Sequence, residues 1–177
     1  MIEQHMRVEI AGGIVLRPAT EADIPQILAL IRELAEYEKA PDEAKATSAQ
    51  IRRALFGDSS REGKGAGVAE CVMGEIDGQV QGMALFFMNY STWTGQPGIY
   101  LEDLFVRPSM RGRGLGGALL RHLAKIAVAR GCTRFEWSVL DWNTPAIDFY
   151  KHLGAVPMDE WTVYRLKGQA LADLGAE

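Results

Sequence analysis

The sequence predicts one α/β (α+β) domain built around a single central sheet, and three observations support this fold class. The 177 residues, 47% of them hydrophobic, are enough to bury a core. Segments with helical and two-residue periodicity alternate in mixed order along the chain. Asp77 and Gly78 stand between two apolar, β-prone runs, which is a strong hairpin signal. We expect residues 1–13 to form an N-terminal extension and residues 14–177 to form the domain.

The first half of the chain predicts a helical pair and a hairpin. In chain order the elements are a strand (14–17), a helix that ends before Pro41, a weaker helix (48–56), an exposed loop (57–67) and the hairpin strands 68–76 and 79–88. Thr20 or Asp23 is the expected cap of the first helix, because such side chains accept hydrogen bonds from the free N–H groups of the first turn.

The second half of the chain alternates strands with helices. The expected elements are a strand (100–106), a glycine-rich loop, a helix from Leu115 closed by Gly131, a strand (133–140), a short helix from Asn143 to Gly154 and a last strand (161–166).

Charge and hydropathy exclude several classes of function. The net charge of −4 argues against broad nucleic-acid binding and is compatible with a cationic partner. The longest apolar run, residues 83–88, is too short to span a bilayer, and the first residues lack the apolar core of a signal peptide. We therefore expect a cytoplasmic protein that binds neither nucleic acid nor membranes.

The cysteines and histidines show no metal-ligand spacing. Cys71 and Cys132 stand in apolar contexts and are interpreted as reduced core thiols. His5, His122 and His152 are far apart in the chain. No metal is implied.

A loop rich in glycine and arginine, "RGRGLGG" at residues 111–117, follows a predicted strand and opens a predicted helix. Glycines let the backbone approach a ligand closely and adopt positive φ. The free N–H groups and dipole at a helix start attract anions. The sequence therefore predicts a phosphate site formed by Arg111, Gly112, Arg113, Gly114, Gly116 and Gly117.

The loop admits two other interpretations. Gly112, Gly114 and Gly117 satisfy the G-x-G-x-x-G pattern of dinucleotide-binding turns, and Glu136 lies near the expected distance of the ribose-binding acid. In that turn the glycines follow the strand directly, whereas residues 107–111 intervene here. The second interpretation is a loop that binds no ligand. It does not explain why glycines and arginines are concentrated in this segment.

The arrangement Arg111-x-x-Gly114-x-Gly116 resembles the pattern of the GCN5-related N-acetyltransferases. The segments "RPATEAD", "YSTWTG", "YLEDLFV" and "LDWNTPAIDFYKHLGA" resemble, in the same order, the spermidine/spermine and thialysine acetyltransferases of that superfamily. The resemblance runs from Arg17 to about Leu166. Ser91 stands where the spermidine/spermine type tends to carry an aspartate, so the thialysine type is nearer.

The resemblance implies the GNAT fold, a central mixed and mostly antiparallel sheet flanked by helices on both faces. It implies acetyl-CoA (coenzyme A) as co-substrate. The residues expected to bind it are Leu104, Phe105, Val106, Arg111, Gly112, Arg113, Gly114, Leu115, Gly116, Gly117, Asn143 and Tyr150. By position alone, Asn143 is also a simple helix cap.

Acetylation of an amine needs a group that removes a proton. An amine with a lysine-like pKa of about 10.4 is almost wholly protonated at pH 7. The resemblance implies Glu102 as the base or water-orienting group and Tyr150 as the acid that protonates the leaving thiolate. Adjacent strand residues face opposite sides, so we expect Asp103 to be structural. By spacing alone, Tyr150 is more simply a core tyrosine and Glu102 an exposed strand residue.

The resemblance also implies residues that line the site of a small cationic amine. These are Tyr37, Glu38, Trp93, Glu102 and, less directly, Glu160. On position alone, Glu38 fits a solvated helix face and Trp93 a loop aromatic that shields the core. Aromatic and acidic side chains together suit a flexible cation with an apolar stem.

The sequence thus predicts an acetyl-CoA-dependent N-acetyltransferase. The expected acceptor is a primary amine of a diamine, a polyamine or a lysine-like amino acid such as thialysine. Transfer is expected to be direct, in a ternary complex, because neither cysteine lies in a nucleophile motif. Protein lysine or N-terminal acetylation, and a non-catalytic coenzyme-A sensor, are the alternatives. The resemblance implies a homodimer.

Overall fold

A computed structural model describes residues 7–57 and 67–176 of the chain. The strands are β1 (Val8–Ile10), β2 (Ile14–Pro18), β3 (Glu70–Ile76), β4 (Gln79–Ser91), β5 (Gln96–Val106) and β6 (Phe135–Trp137). The helices are α1 (Ile24–Tyr37), α2 (Ser48–Phe56), α3 (Leu115–Ala129), α4 (Thr144–His152) and α5 (Gln169–Leu174). Most of the loop expected at 57–67, and His5, lie outside the described residues.

The six strands form one sheet in sequential order, β1 to β6. All neighbouring pairs from β1 to β5 are antiparallel, and β5 pairs with β6 in parallel. The β3–β4 turn has Asp77 at φ 53° and Gly78 at φ 77°, the positive values that a tight two-residue hairpin turn needs. The predicted mixed, mostly antiparallel sheet is confirmed.

Helices cover both faces of this sheet. Apolar side chains of α1 and α2, among them Ile27, Leu30 and Ile51, are buried against Met73 of β3 and Phe105 of β5. The neighbouring strand position, Gly74, points to the opposite face. There the side chain of Leu115 on α3 lies so close that a Cβ on Gly74 would be 2.7 Å from it.

The start of α1 is fixed by an ion-pair cluster. Asp23 caps the short turn before the helix, and its carboxylate accepts bonds from two nitrogens of Arg17 at 2.7 and 2.8 Å. Arg17 also donates to Glu75 of β3 at 2.6 Å. The bonds from Arg17 lower the pKa of Asp23 to about 2. Arg17 thus ties this end of α1 to β3 through two carboxylates.

β5 carries one extra residue opposite β4. Leu85 pairs with Asp103 and its neighbour Phe86 pairs with Leu101, so Glu102 is inserted as a β-bulge. Directly paired residues of an antiparallel ladder share a face. Leu85 packs toward the α1 cluster, so Asp103 lies on the α1 face of the sheet.

Three element predictions differ from the structure. Part of the expected N-terminal extension forms a strand instead: the residues of β1 pair with β2. The strand expected at 133–140 is confined to 135–137, which pair in register with residues 99–101 of β5. The strand expected at Trp161–Leu166 is wrong: the segment has no place in the six-stranded sheet, and Tyr164 is 93% exposed.

The chain divides into two compact units, Met1–Ser138 and Val139–Glu177. The first unit contains the sheet, α1, α2 and α3. The second contains α4, with Asn143 as its N-cap residue as expected, and α5, which the sequence pattern did not predict.

Candidate active site

The C-terminal half of β5 has one edge that the sheet leaves unpaired. Pairing with β6 ends at Leu101 and Trp137. On the other edge, pairing with β4 continues to Val106. Backbone groups of residues 102–106 therefore face an opening beside β6 in the described sheet. A ligand with amide groups can form strand-like hydrogen bonds there.

The loop after β5 delivers an anion-binding helix start. Gly112 has φ 78°, and Gly114, the N-cap residue of α3, has φ 90°. Both values are strained for residues with a side chain. The first bond within α3 runs from the Ala118 N–H to the Gly114 carbonyl at 2.9 Å. The N–H groups of residues 115–117 therefore precede the helical ladder and are directed at the loop.

Two predicted coenzyme residues have buried side chains and could offer a ligand only their backbone. The side chain of Phe105 is 2% exposed in the α1 core, and that of Leu115 is 1% exposed against Gly74. A Cβ on Gly117 would be 3.2 Å from the guanidinium of Arg121. Leu104, Val106 and Gly116 are partly exposed.

The arginines around the loop differ in what they contact. Arg113 donates to the Asp77 carboxylate in the β3–β4 turn at 3.0 Å. Arg107 donates to both carboxylate oxygens of Glu33 on α1, at 2.8 to 3.2 Å, and to the Val80 carbonyl at 2.9 Å. Arg107 therefore fastens the loop to α1. Its charge is already engaged in this bidentate pair.

Arg111 lies between the loop and α1. Its Nε donates to the Val106 carbonyl at 3.1 Å. Its guanidinium carbon is 4.3 Å from the centroid of the Tyr37 ring and 5.9 Å from that of Phe105. The first distance is that of a cation–π contact. Arg111 thus connects Val106, a predicted coenzyme residue, to Tyr37, a predicted acceptor residue.

Carboxylates of α1 and β5 converge beside this contact. Burial, followed by the charges of Glu102 and Glu38, raises the pKa of Asp103 to about 6. Burial also raises the pKa of Glu38. We call these three side chains, Glu38, Glu102 and Asp103, the acidic cluster. A cation that enters the cluster would gain Coulomb energy and relieve the repulsion among the carboxylates.

The bulge explains why strict alternation misassigns this strand. Alternation places Glu102 and Asp103 on opposite faces and leaves Asp103 without a function. Because Glu102 is the inserted residue, Asp103 lies on the face of Leu85 and α1, and it senses the charge of Glu102. Glu102 itself is exposed. The two carboxylates therefore act on one region.

Trp93 lies away from the acidic cluster in this unit. It stands at the tip of the β4–β5 hairpin and is 89% exposed. Along β4, the five steps from Ser91 to Phe86 span roughly 17 Å. Its expected contact with the acceptor stays a prediction.

The second unit holds the remaining predicted residues. Asn143 is 8% exposed, and its carbonyl accepts bonds from the N–H groups of Ala146 and Ile147, both at 3.0 Å. Tyr150 lies on α4, half-buried, with its ring centroid 5.5 Å from that of Phe149. Glu160 is exposed in irregular structure. Their expected roles stay predictions.

Sequence reasoning missed the contacts between the loop and α1. Glu33 and Tyr37 are four residues apart and share one face of the helix. Arg107 and Arg111 are also four residues apart, and each contacts one member of that pair. The matched spacing is a usable signal once the helix is assigned.

Other kinds of site find no support in residues 7–57 and 67–176. No group of three or more His, Cys, Asp or Glu side chains there has an arrangement that could hold a metal ion. No helix in the same residues has the length and hydropathy needed to cross a membrane.

Comparison with known proteins identifies the family of this chain. The family model described as "Acetyltransferase (GNAT) family" matches residues 27–155. Thialysine N-epsilon-acetyltransferase of Sus scrofa is 38% identical over 94% of this chain and 99% of its own length. Spermidine/spermine N(1)-acetyltransferase-like protein 1 of Homo sapiens is 31% identical over 92% of this chain and 24% of its own length.

A solved structure shows the same fold. The integron cassette protein VCH_CASS6 of V. cholerae matches with a TM-score of 0.75 and 25% identity, over 93% of this chain and 99% of that one. The chain belongs to the GNAT family of acetyltransferases. It is an N-acetyltransferase that uses acetyl-CoA as co-substrate.

Proposed function

We propose that this enzyme transfers acetyl from acetyl-CoA directly to a primary amine of a small acceptor with two cationic groups. Thialysine and lysine-like amino acids come first among the candidates, and diamines and polyamines second. The observation that carries the proposal is the acidic cluster, which adjoins both the unpaired end of β5 and the phosphate loop. An uncompensated group of carboxylates favours a cationic ligand. Thialysine and polyamine acetyltransferases among the relatives support the same acceptor class.

Acetyl-CoA is proposed to bind along the opening beside β5. Its pyrophosphate would accept hydrogen bonds from the N–H groups at the start of α3 and pair with Arg111 and Arg113. Its pantetheine arm would pair with the backbone of residues 104–106. Asn143 is also proposed to bond the pantetheine arm.

Glu102 is proposed to draw the proton from the acceptor amine, directly or through one water. Only the neutral amine carries a lone pair that can attack the thioester carbon. At pH 7 a lysine-like amine is about 3.4 pKa units from that state, a cost of about 4.6 kcal/mol. The new N–C bond forms as the C–S bond breaks. The Tyr150 hydroxyl would give its proton to the departing sulfur.

The acceptor is proposed to bind with its second cationic group among carboxylates and aromatic rings. The residues proposed for this role are Tyr37, Glu38, Trp93, Glu102 and Glu160. Asp103 adds charge to the same region from β5. A dication would gain more from this surface than a monocation of equal length.

The enzyme is also proposed to act as a cytoplasmic homodimer. The second unit exposes many large apolar side chains, namely Val156, Met158, Trp161, Val163, Tyr164, Leu166, Leu171 and Leu174. Contiguous exposed apolar surface is typical of an interface. Two free cysteines fit a reducing compartment. Light scattering should give twice the chain mass of 19.5 kDa.

An acceptor panel tests the proposed function. Thiol release from acetyl-CoA is followed with thialysine, lysine, ornithine, putrescine, spermidine, spermine and a lysine-containing peptide. Rapid release with one of the small amines is expected. Release with the peptide alone would move the acceptor class to proteins. Coenzyme binding without any release would indicate a sensor.

Tyr150→Phe separates catalysis from binding in the same assay. Loss of the hydroxyl should lower turnover about a hundredfold or more while coenzyme affinity changes little. His152→Gln, on the same helix, is the matched control and should retain turnover. An unchanged rate in the Tyr150→Phe variant would remove Tyr150 from the mechanism.

A further inference from the structure

Arg111 occupies a position where a cation meets an aromatic face beside carboxylates. Its guanidinium lies 4.3 Å from the centroid of the Tyr37 ring. Glu38 follows Tyr37 at the end of α1, and its charge reaches Asp103. This is the environment that a cationic amine would seek: an aromatic face for the cation and carboxylates for the charge. In this structure the Arg111 side chain occupies that environment.

Arg111 is also a residue that coenzyme binding should move. Its Nε donates to the Val106 carbonyl, one of the backbone groups at the unpaired end of β5. It stands beside Gly112, in the loop that leads to the free N–H groups at the start of α3. A guanidinium forms stronger, bidentate bonds with a phosphate than with an aromatic ring or a carbonyl. Pyrophosphate and pantetheine amide would therefore both compete for the contacts that hold Arg111.

We propose that the ring face of Tyr37 is a single cation site that Arg111 and the acceptor occupy in turn, and that coenzyme binding drives the exchange. The inference rests on the proposed acetyl transfer to a small cationic amine. When the phosphates take Arg111, the ring face and the adjacent Glu38 become available to the acceptor. Tyr37 is then a specificity-determining residue whose access depends on the coenzyme.

Arg107 restricts the movement to Arg111. Its bidentate pair with Glu33 and its bond to the Val80 carbonyl hold the start of the loop against α1. Glu33 and Tyr37 lie on one helix face, so the helix stays in place while the Arg111 side chain turns. The exchange needs a rotation of one side chain and no displacement of α1.

The exchange predicts positive coupling between the two substrates. An acceptor that binds before the coenzyme must compete with Arg111 for the ring. An acceptor that binds after the coenzyme no longer competes with Arg111. A competing contact of cation–π strength corresponds to a difference of about fivefold or more in acceptor affinity. The reciprocal effect of acceptor on coenzyme affinity must be equal.

Calorimetric titration of thialysine into the full-length enzyme tests this exchange. Titrations are made without coenzyme and with saturating coenzyme A, which lacks the acetyl group and cannot react. The wild type should bind thialysine at least fivefold more tightly with coenzyme A. Tyr37→Phe keeps the aromatic face and should keep this ratio. Tyr37→Leu should bring the ratio close to one, with weak binding in both states.

Arg111→Ala gives the opposite change, which a merely structural role would not produce. Removing the competitor should tighten thialysine binding without coenzyme to about the level of the coenzyme-bound wild type. Arg52→Ala, which removes an exposed arginine paired with Glu21, is the matched control and should leave both affinities unchanged. Circular dichroism and thermal unfolding confirm that each variant is folded.

The outcomes separate this inference from the proposed function. A wild-type ratio near one, a ratio that survives Tyr37→Leu, or unaltered coenzyme-free binding in Arg111→Ala overturns the exchange. Acetyl transfer to thialysine in the same preparation would then leave the proposed function standing. Absence of both binding and turnover for every small amine overturns the proposed acceptor class and the exchange with it.

Discussion

Acidic residues near the two ends of α1 are in opposite electrostatic states. At the start, Asp23 is paired with Arg17, and its pKa is lowered to about 2. At the end, burial and neighbouring carboxylates raise the pKa of Asp103 to about 6. The carboxylates at the start are hydrogen-bonded to Arg17 and anchor the helix. Those at the end are buried and repel one another, which favours a bound cation and marks the functional end.

The largest expected effect comes from Glu102 at the functional end. Glu102→Gln keeps the shape of the side chain and removes its capacity to take a proton. We expect kcat to fall about 10²- to 10⁴-fold, because that is the usual contribution of a positioned base. Steady-state assays with thialysine measure it. Glu21→Gln, an exposed carboxylate near the start of α1, is the control. Equal rates for wild type and Glu102→Gln would dismiss Glu102 as the base.

The anchored end should respond in stability instead of activity. Asp23→Asn leaves the Arg17 guanidinium short of one partner in a mostly buried site. The free energy of unfolding should fall by about 2–4 kcal/mol. Urea denaturation at pH 7 measures this change. Since the folded pKa of Asp23 lies below its ordinary value, its contribution is present above about pH 4 and is lost as the pH falls toward 2. A variant as stable as the wild type would contradict the anchor.

Asp103→Asn should raise the free energy of unfolding, whereas Asp23→Asn lowers it. The folded pKa of Asp103, about 6, is above its ordinary value of 3.8, so the folded state binds the proton more tightly. Stability therefore falls as the pH rises from about 4 through 6. The variant should be more stable than the wild type by about 1–3 kcal/mol at pH 7.5, and this advantage should vanish near pH 4. Denaturation series at both pH values decide it; a destabilised variant at pH 7.5 would refute the assignment.

The protonation of Asp103 should also change the KM for the acceptor. Protonation of Asp103 removes a negative charge from the acidic cluster, so the KM for thialysine should rise as the pH falls below about 6. We expect a change of about threefold to tenfold between pH 7 and pH 5, measured at saturating acetyl-CoA. Asp103→Asn should flatten this branch of the profile. A branch that persists unchanged in the variant would have to come from another group.

The smallest effect belongs to an exposed ion pair near the anchored end. Arg52 and Glu21 are paired at 3.0 Å, with both side chains about half exposed. Arg52→Ala should change the free energy of unfolding by less than about 1 kcal/mol. A larger loss would show that surface charge, and not burial, distinguishes the two ends of α1.

Local sequence signals predicted most of the fold and the phosphate loop. Asp77 and Gly78 specify the hairpin through their positive φ values, and Gly114 marks the start of α3 in the same way. Thr20 and Asp23 close the short turn that precedes α1, and Asp23 is the N-cap residue of that helix. These features depend on residues adjacent in the chain, which is why they can be read from it.

The acidic cluster depends on pairing that the sequence does not encode locally. The bulge at Glu102 follows from how β4 and β5 align over ten positions, and it reverses the face of Asp103. The Arg107–Glu33 pair joins residues 74 positions apart. The Trp161–Leu166 segment alternates like a strand, yet a strand also needs a paired neighbour.

The preference for a second cationic group tests the central claim most directly. The ratio of kcat/KM for thialysine to that for butylamine, a monocation with a similar reacting group, is measured in the wild type and in Glu38→Gln/Asp103→Asn. We predict a wild-type ratio of at least about ten, equivalent to about 1.4 kcal/mol, that collapses toward one in the double variant. A ratio near one in the wild type, or one that the double variant retains, would contradict the assignment of the acidic end of α1 to the acceptor.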